Sequence, residues 1–258
     1  MLPLRDRLPT RSVPFVNYAL LAINVLVFVW MRAVIAAGYP PGRLVLEWGL
    51  VPIRFLHDPS AEALTVLSSM FMHDPTGWLH VGGNMLYLWI FGDNVEDALG
   101  HARYAAFYIL AGVAAAAAQI IIDPGSPIPM VGASGAISGV LAGYATLYPR
   151  SPILVVNPML PLWLLIGPVF EIPAWLSISI YFISNLFSAV FSLGSRTGGV
   201  AFFAHLGGFV AGLMLVRFFM VGRDTREHDK WHTWRPANRP RSRHLPSYRT
   251  ERSRDPWS

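Results

Sequence analysis

The chain has 258 residues, of which 53% are hydrophobic and only 14% charged, and its mean hydropathy is +0.43. That balance argues against one or two soluble domains and predicts an integral membrane protein. With no cysteine, disulfide frameworks, thiolate metal sites and cysteine nucleophiles are excluded, and the net charge of +5 lies wholly after residue 220, where ten Lys/Arg face five Asp/Glu.

An apolar helix needs about 20 residues to cross the hydrocarbon, and six stretches meet or approach that length. The first is Phe15 to Ile35. Its apolar run is too long for the core of a cleavable signal peptide, despite Arg5, Arg7 and Arg11 before it, so it reads as an uncleaved span. Residues 36–77 form a long first loop whose Trp48, Phe55 and Phe71 suit the interface. The second stretch, Trp78 to Ala98, carries His80, Asn84 and Asp93, and the third is Tyr104 to Ile122. The fourth, Ser134 to Tyr148, is short and would begin partway into the membrane. Residues 151–171 contain the extended-looking run Ile153 to Val156, and Pro158, Pro161 and Pro168 interrupt any helix, so they read as a membrane-edge connector, with a broken helix as the alternative. Ile172 to Phe191 and Gly199 to Met220 complete the set.

Arg5, Arg7, Arg11, Arg103, Arg150 and the basic tail fall on one side of a six-span arrangement, which predicts cytoplasmic termini and a place in the cell membrane. The tail, 221–258, holds Pro236, Pro240, Pro246 and Pro256 and is expected to be disordered. A basic segment there points to anionic lipid rather than nucleic acid.

Ionisable or polar side chains within spans are functional hypotheses by default. His80 and Asn84, four apart, share a helix face that Tyr87 extends; they serve either as donors to a reacting group or as interhelical hydrogen bonds. Ser134, at the start of the fourth span in Gly132-Ala-Ser-Gly-Ala136, is either an N-cap or a nucleophile beside free backbone amides that could hold an oxyanion. Gly135, Gly139 and Gly143 recur every four residues, as do Ala204, Gly208 and Gly212 on the sixth span, and small residues at that spacing let backbones approach closely in lipid. His205 shares the second stripe. If the two faces meet, its imidazole can reach Ser134 and serve as the base a weak hydroxyl nucleophile requires. No acidic residue lies in the sixth span to complete a triad, and no carboxylate accompanies the histidines at zinc-ligand spacing.

His80-Val-Gly-Gly-Asn84 with Gly92, Glu96 and Gly100, then Gly132-Ala-Ser-Gly-Ala136, then Ala204-His-Leu-Gly-Gly208 with Gly212, in that order, resemble the three signature regions of rhomboid proteases over residues 65–220. The resemblance implies an all-α, polytopic bundle of six transmembrane helices over 15–220, with an N-terminal segment 1–14 and the tail outside it. It implies Ser134 as nucleophile, His205 as general base, and an oxyanion hole from His80, Asn84 and the Ser134 amide. It also implies single-span membrane proteins as substrates and no cofactor or metal. The alternative within the family is a non-proteolytic protein that binds and escorts membrane helices; a small transporter is a further rival. Two departures stand out. Ser138 occupies a position often aromatic in the family, and the connector from Leu147 to Gly198 is long. His73 is expected to bond within the first loop or to help position the oxyanion site. Glu96 is expected to tie the second span to neighbouring backbone, and Ala114 to Ala118 to form a close-packing face.

Overall fold

The computed structural model describes residues 2–157, 163, 167–192 and 202–223. The expected disorder of the tail after Arg223, and the start of the sixth stretch at Gly199, lie outside these. Among the described residues, three helices are long and apolar enough to cross a membrane: α1 (Phe15–Ala36), α6 (His101–Ile122) and the last described helix, Phe202–Phe219. Apolar side chains dominate what they turn outward along their middles, with Leu26, Ile121, Met214 and Phe218 all exposed, as a lipid-facing surface requires, while the exposed Arg32, His101, Arg103 and Arg217 stand near the helix ends.

The first loop is more ordered than a connector. It contains α2 (Pro41–Trp48), α3 (Pro52–His57) and α4 (Pro59–Ser68), each opened by a proline whose missing N–H costs nothing in the first turn. α4 is capped by Asp58, whose carboxylate accepts the Ala61 amide at 3.0 Å. α5 (Trp78–Leu99) follows, then α6, then α7 (Ser134–Leu147). α7 is the centre of the molecule: every residue from Gly135 to Tyr144 is buried.

The connector after α7 corrects the all-α expectation. Pro152–Val156 is strand β2 and Val169–Pro173 is strand β3, paired antiparallel with Ile153 opposite Ile172; β2 also pairs antiparallel with β1 (Pro3–Asp6), with Asp6 opposite Ile153. The sheet order is β1-β2-β3. Branched residues in β2 favour the extended state, so residues 152–156 satisfy their backbone groups by pairing; residues 158–162 and 164–166, where a broken helix is the alternative, lie outside the described residues. Ile172 therefore belongs to β3, and α8 (Ala174–Ser192) begins two residues later than expected; α9 (Phe202–Phe219) closes the described chain. The sheet sits at the end of α7 opposite Ser134, where the Tyr144 hydroxyl donates to Asp6 Oδ2 at 2.8 Å.

Glu96 ties α5 to α1 as expected. Its carboxylate, fully buried, accepts the Val16 and Asn17 amides at 3.0 and 2.6 Å, at the positive end of the α1 dipole. Asn17, unremarked in the sequence, in turn accepts the Tyr104 hydroxyl at 2.9 Å, so a polar seam joins α1, α5 and α6 inside the bundle.

Candidate active site

α9 packs against α6 and α7 through side chains that are nearly absent. A Cβ added to Gly208 would collide with the carbonyl of Gly135, one on Gly212 with the carbonyl of Gly139, and one on Gly207 with the Cβ of Ala118. Backbone against backbone replaces the side-chain layer that usually separates helices. The α7 glycines open mainly toward α6: a Cβ at Gly135 would stand 2.6 Å from the Ala115 Cβ, and one at Gly139 2.5 Å from that of Ala111. Ala115 thus lies in a close-packing face, as expected of the alanine run. Gly143 differs from expectation. The space beside it faces Phe107 Cζ at 3.2 Å and Val95 at 3.6 Å, so it accommodates α5 and α6 and takes no part in the approach of α9.

The close approach of α9 sets His205 Nε2 and Ser134 Oγ 2.6 Å apart. Ser134 is the first residue of α7 and not its cap; that position is Ala133, and no side chain caps the helix. The hydroxyl is therefore free of the commonest duty of a serine at a helix start. His205 is only 4% exposed, and its Nδ1 has no hydrogen-bond partner among the described residues. With Nε2 accepting the Ser134 O–H, Nδ1 carries the ring proton. Ser138, in place of an aromatic residue, donates its hydroxyl to the Ser134 carbonyl at 2.8 Å. It tightens the first turn of α7, and the imidazole is located by the packing of its own helix.

His80 and Asn84 stand on the first turns of α5 and line the same cavity as Ser134 and His205, a volume of about 490 Å³ that also touches Tyr87 and Tyr181. Asn84 donates one amide hydrogen to the His80 carbonyl at 3.0 Å, which leaves its second N–H for a ligand. His80 Nδ1 accepts the Asp74 amide N–H at 3.1 Å. The other ring nitrogen, Nε2, lies 3.0 Å from where a Cβ on Gly132 would stand, and Ser134 Oγ lies 3.6 Å from that same point. Gly132 has φ +125°, a conformation open to glycine and rarely to others, and its missing side chain keeps clear the space between the imidazole and the hydroxyl.

Three contributors escaped the sequence reading of the site: Gly132 as a conformational requirement, the Asp74 amide, and Tyr181, whose ring packs 4.7 Å from that of Tyr87. The positive φ leaves no signal beyond glycine itself. A backbone amide leaves none at all.

A family model described as the Rhomboid domain matches residues 60–221. Rhomboid protein 1, mitochondrial, of Saccharomyces cerevisiae is 28% identical over 206 residues, covering 76% of this chain and 51% of that protein. Presenilin-associated rhomboid-like protein, mitochondrial, of Mus musculus is 28% identical over 173 residues, 64% of this chain and 41% of its own length. Rhomboid protease GluP of Bacillus subtilis is 30% identical over 128 residues, half of this chain and 24% of GluP. The chain thus spans about half the length, or less, of the curated relatives it matches. These relatives support an integral membrane protein; two of the three are mitochondrial, and none singles out the cell membrane. The match over the region that carries all three motifs shows that the chain belongs to the rhomboid family.

Proposed function

We propose that the chain is an intramembrane serine endopeptidase that cleaves single-span membrane proteins within or beside the bilayer, with Ser134 as nucleophile and His205 as general base. The observation that carries this reading is the 2.6 Å contact between His205 Nε2 and Ser134 Oγ at a helix N-terminus that opens on a cavity. His205 takes the Ser134 proton as Oγ attacks the scissile carbonyl, and the oxyanion meets the amides of the first turn of α7, with His80 and Asn84 as further donors. Collapse breaks the C–N bond, the imidazolium returns the proton to the departing amine, and an ester remains on Ser134. Water then attacks that ester, gives its proton to His205, and a carboxylic acid leaves as the serine recovers its hydrogen. Among the described residues the buried imidazole has no carboxylate partner, which makes the proposed machinery a dyad rather than a triad.

The accompanying architecture is six spans, α1, α5, α6, α7, α8 and α9, with both termini on one side and the basic tail against anionic lipid. The membrane that houses it is left to the host cell. Reconstitution with a panel of single-span substrates tests the reading. The unaltered protein should cut, and Ser134→Ala or His205→Ala should each lower kcat/KM by about a thousandfold or more. Cleavage that survives either change removes the dyad, and a panel left uncut by the unaltered protein favours the non-proteolytic, helix-binding alternative.

A further inference from the structure

We infer that Asp74, acting through its backbone amide, is a positioning residue for the oxyanion site: the N–H it donates into His80 Nδ1 fixes that ring as the Nε2–H tautomer, with its proton on the side of Gly132 and Ser134. The catalytic meaning of this rests on the endopeptidase reading above; the tautomer itself does not.

A neutral imidazole carries one proton, and the hydrogen bond made by one ring nitrogen decides which. At His80 the Asp74 amide sits 3.1 Å from Nδ1, and an amide nitrogen can only donate. A proton on Nδ1 would set two donors against each other, so Nδ1 keeps its lone pair and Nε2 keeps the hydrogen. That choice sets the sign of the interaction. Nε2 is the atom beside the Gly132 hollow that Ser134 Oγ also borders. Bearing hydrogen, it attracts a developing oxyanion; bearing a lone pair, it would repel one.

The loop that presents the amide is held from several directions. The Asp74 carboxylate accepts the Thr76 amide at 2.9 Å, closing a short turn. Arg32 of α1 donates to the Pro75 carbonyl at 2.7 Å, which ties the turn to the bundle. Behind it, fully buried His73 lies with its Nδ1 3.2 Å from the Phe71 carbonyl, which a ring N–H must fill as donor. Its ring stands edge-on to that of His80, 5.2 Å between centroids. Of the two duties expected of His73, the structure shows the bond within the loop.

The test is nitrogen NMR of the full chain, labelled with ¹⁵N-histidine and reconstituted in bilayers at neutral pH, with the His80 signals identified by their loss in His80→Ala. The expected result is an unprotonated Nδ1 and a protonated Nε2. A protonated Nδ1, or comparable populations of both forms, overturns the inference, and this readout needs no substrate. Asp74→Pro removes the amide hydrogen: the ring proton should then distribute between the nitrogens, and kcat should fall about tenfold or more with KM little changed, because the lost interaction belongs to the transition state. An Asp74→Pro protein that keeps a pure Nε2–H tautomer also overturns the inference. Should that variant not fold, the unaltered protein decides alone. Should no substrate be cut at all, the endopeptidase reading fails while the tautomer measurement stands.

Discussion

Replacing Gly212 by alanine tests whether backbone contact, rather than any side chain near the chemistry, sets the catalytic distance. Gly212 lies seven residues beyond His205 on α9, about 10 Å along the axis at 1.5 Å per residue. The new Cβ would stand 2.6 Å from Gly139 Cα and 2.9 Å from its carbonyl carbon, whereas carbon atoms rest about 3.5 Å or more apart. The shortfall is about 0.9 Å, and the obstacle is the backbone of α7 within its buried stretch Gly135 to Tyr144, so α9 must yield. A displacement of that size transmitted to His205 stretches the 2.6 Å contact with Ser134 to about 3.5 Å, where a hydrogen bond is effectively lost. Misplacement by about 1 Å costs on the order of a hundredfold in rate, and overpacking of this kind costs about 1–3 kcal/mol in stability. Kinetics of a single-span substrate in proteoliposomes, beside thermal unfolding of the same preparation, should show kcat/KM down about a hundredfold in a protein that remains folded. A folded Gly212→Ala protein that cuts within about threefold of the original would refute the reasoning.

Glu96→Ala should destabilise the bundle without touching the site. It removes two charge-assisted bonds to the start of α1, each worth about 1.5–3 kcal/mol, so the midpoint of unfolding in detergent should fall by about 6 °C or more; a change under about 2 °C would show that α1 is held by other contacts. Asp6 predicts a pH dependence. Its carboxyl is pushed up from 3.8 to about 7, first by burial and further by the Asp93 carboxylate, against the hydrogen bond from Tyr144. The folded state therefore binds a proton the unfolded chain releases, and the stability this confers, fully present below about pH 4, is lost as pH rises through 7. Unfolding midpoints at pH 5 and pH 8 should differ less in Asp6→Asn than in the original, and equal differences would remove Asp6 as the source.

The legible parts of the fold were those written in one stretch of sequence. α1 and α6 announce themselves by apolar length, and α7 by its glycines, because lipid imposes both signals locally. The juxtaposition of Ser134 and His205 was legible for a related reason: two small-residue stripes of equal period have few ways to meet. The same periodicity misled at Gly143, since a helix packed on several sides can turn one glycine of a stripe toward a different neighbour, here Phe107 and Val95. The sheet was illegible because β1 is four residues long and its partner β2 lies nearly 150 positions away, so neither shows a period of two over a useful window. Asn17 and Tyr104 were passed over for the opposite reason. Each is unremarkable in its own helix, and only their meeting makes them a pair.

The pairing of β1 with β2 also orders events in time. At about 5–20 residues per second, the ribosome needs roughly seven to thirty seconds to pass from Asp6 to its partner Ile153. For that interval the amino-terminal strand is an unpaired edge, open to whatever binds extended chains, although the helix behind it can already enter the bilayer. A chaperone or fused tag that occupies residues 3–6 during translation would thus spare insertion and block only the final closure of the sheet.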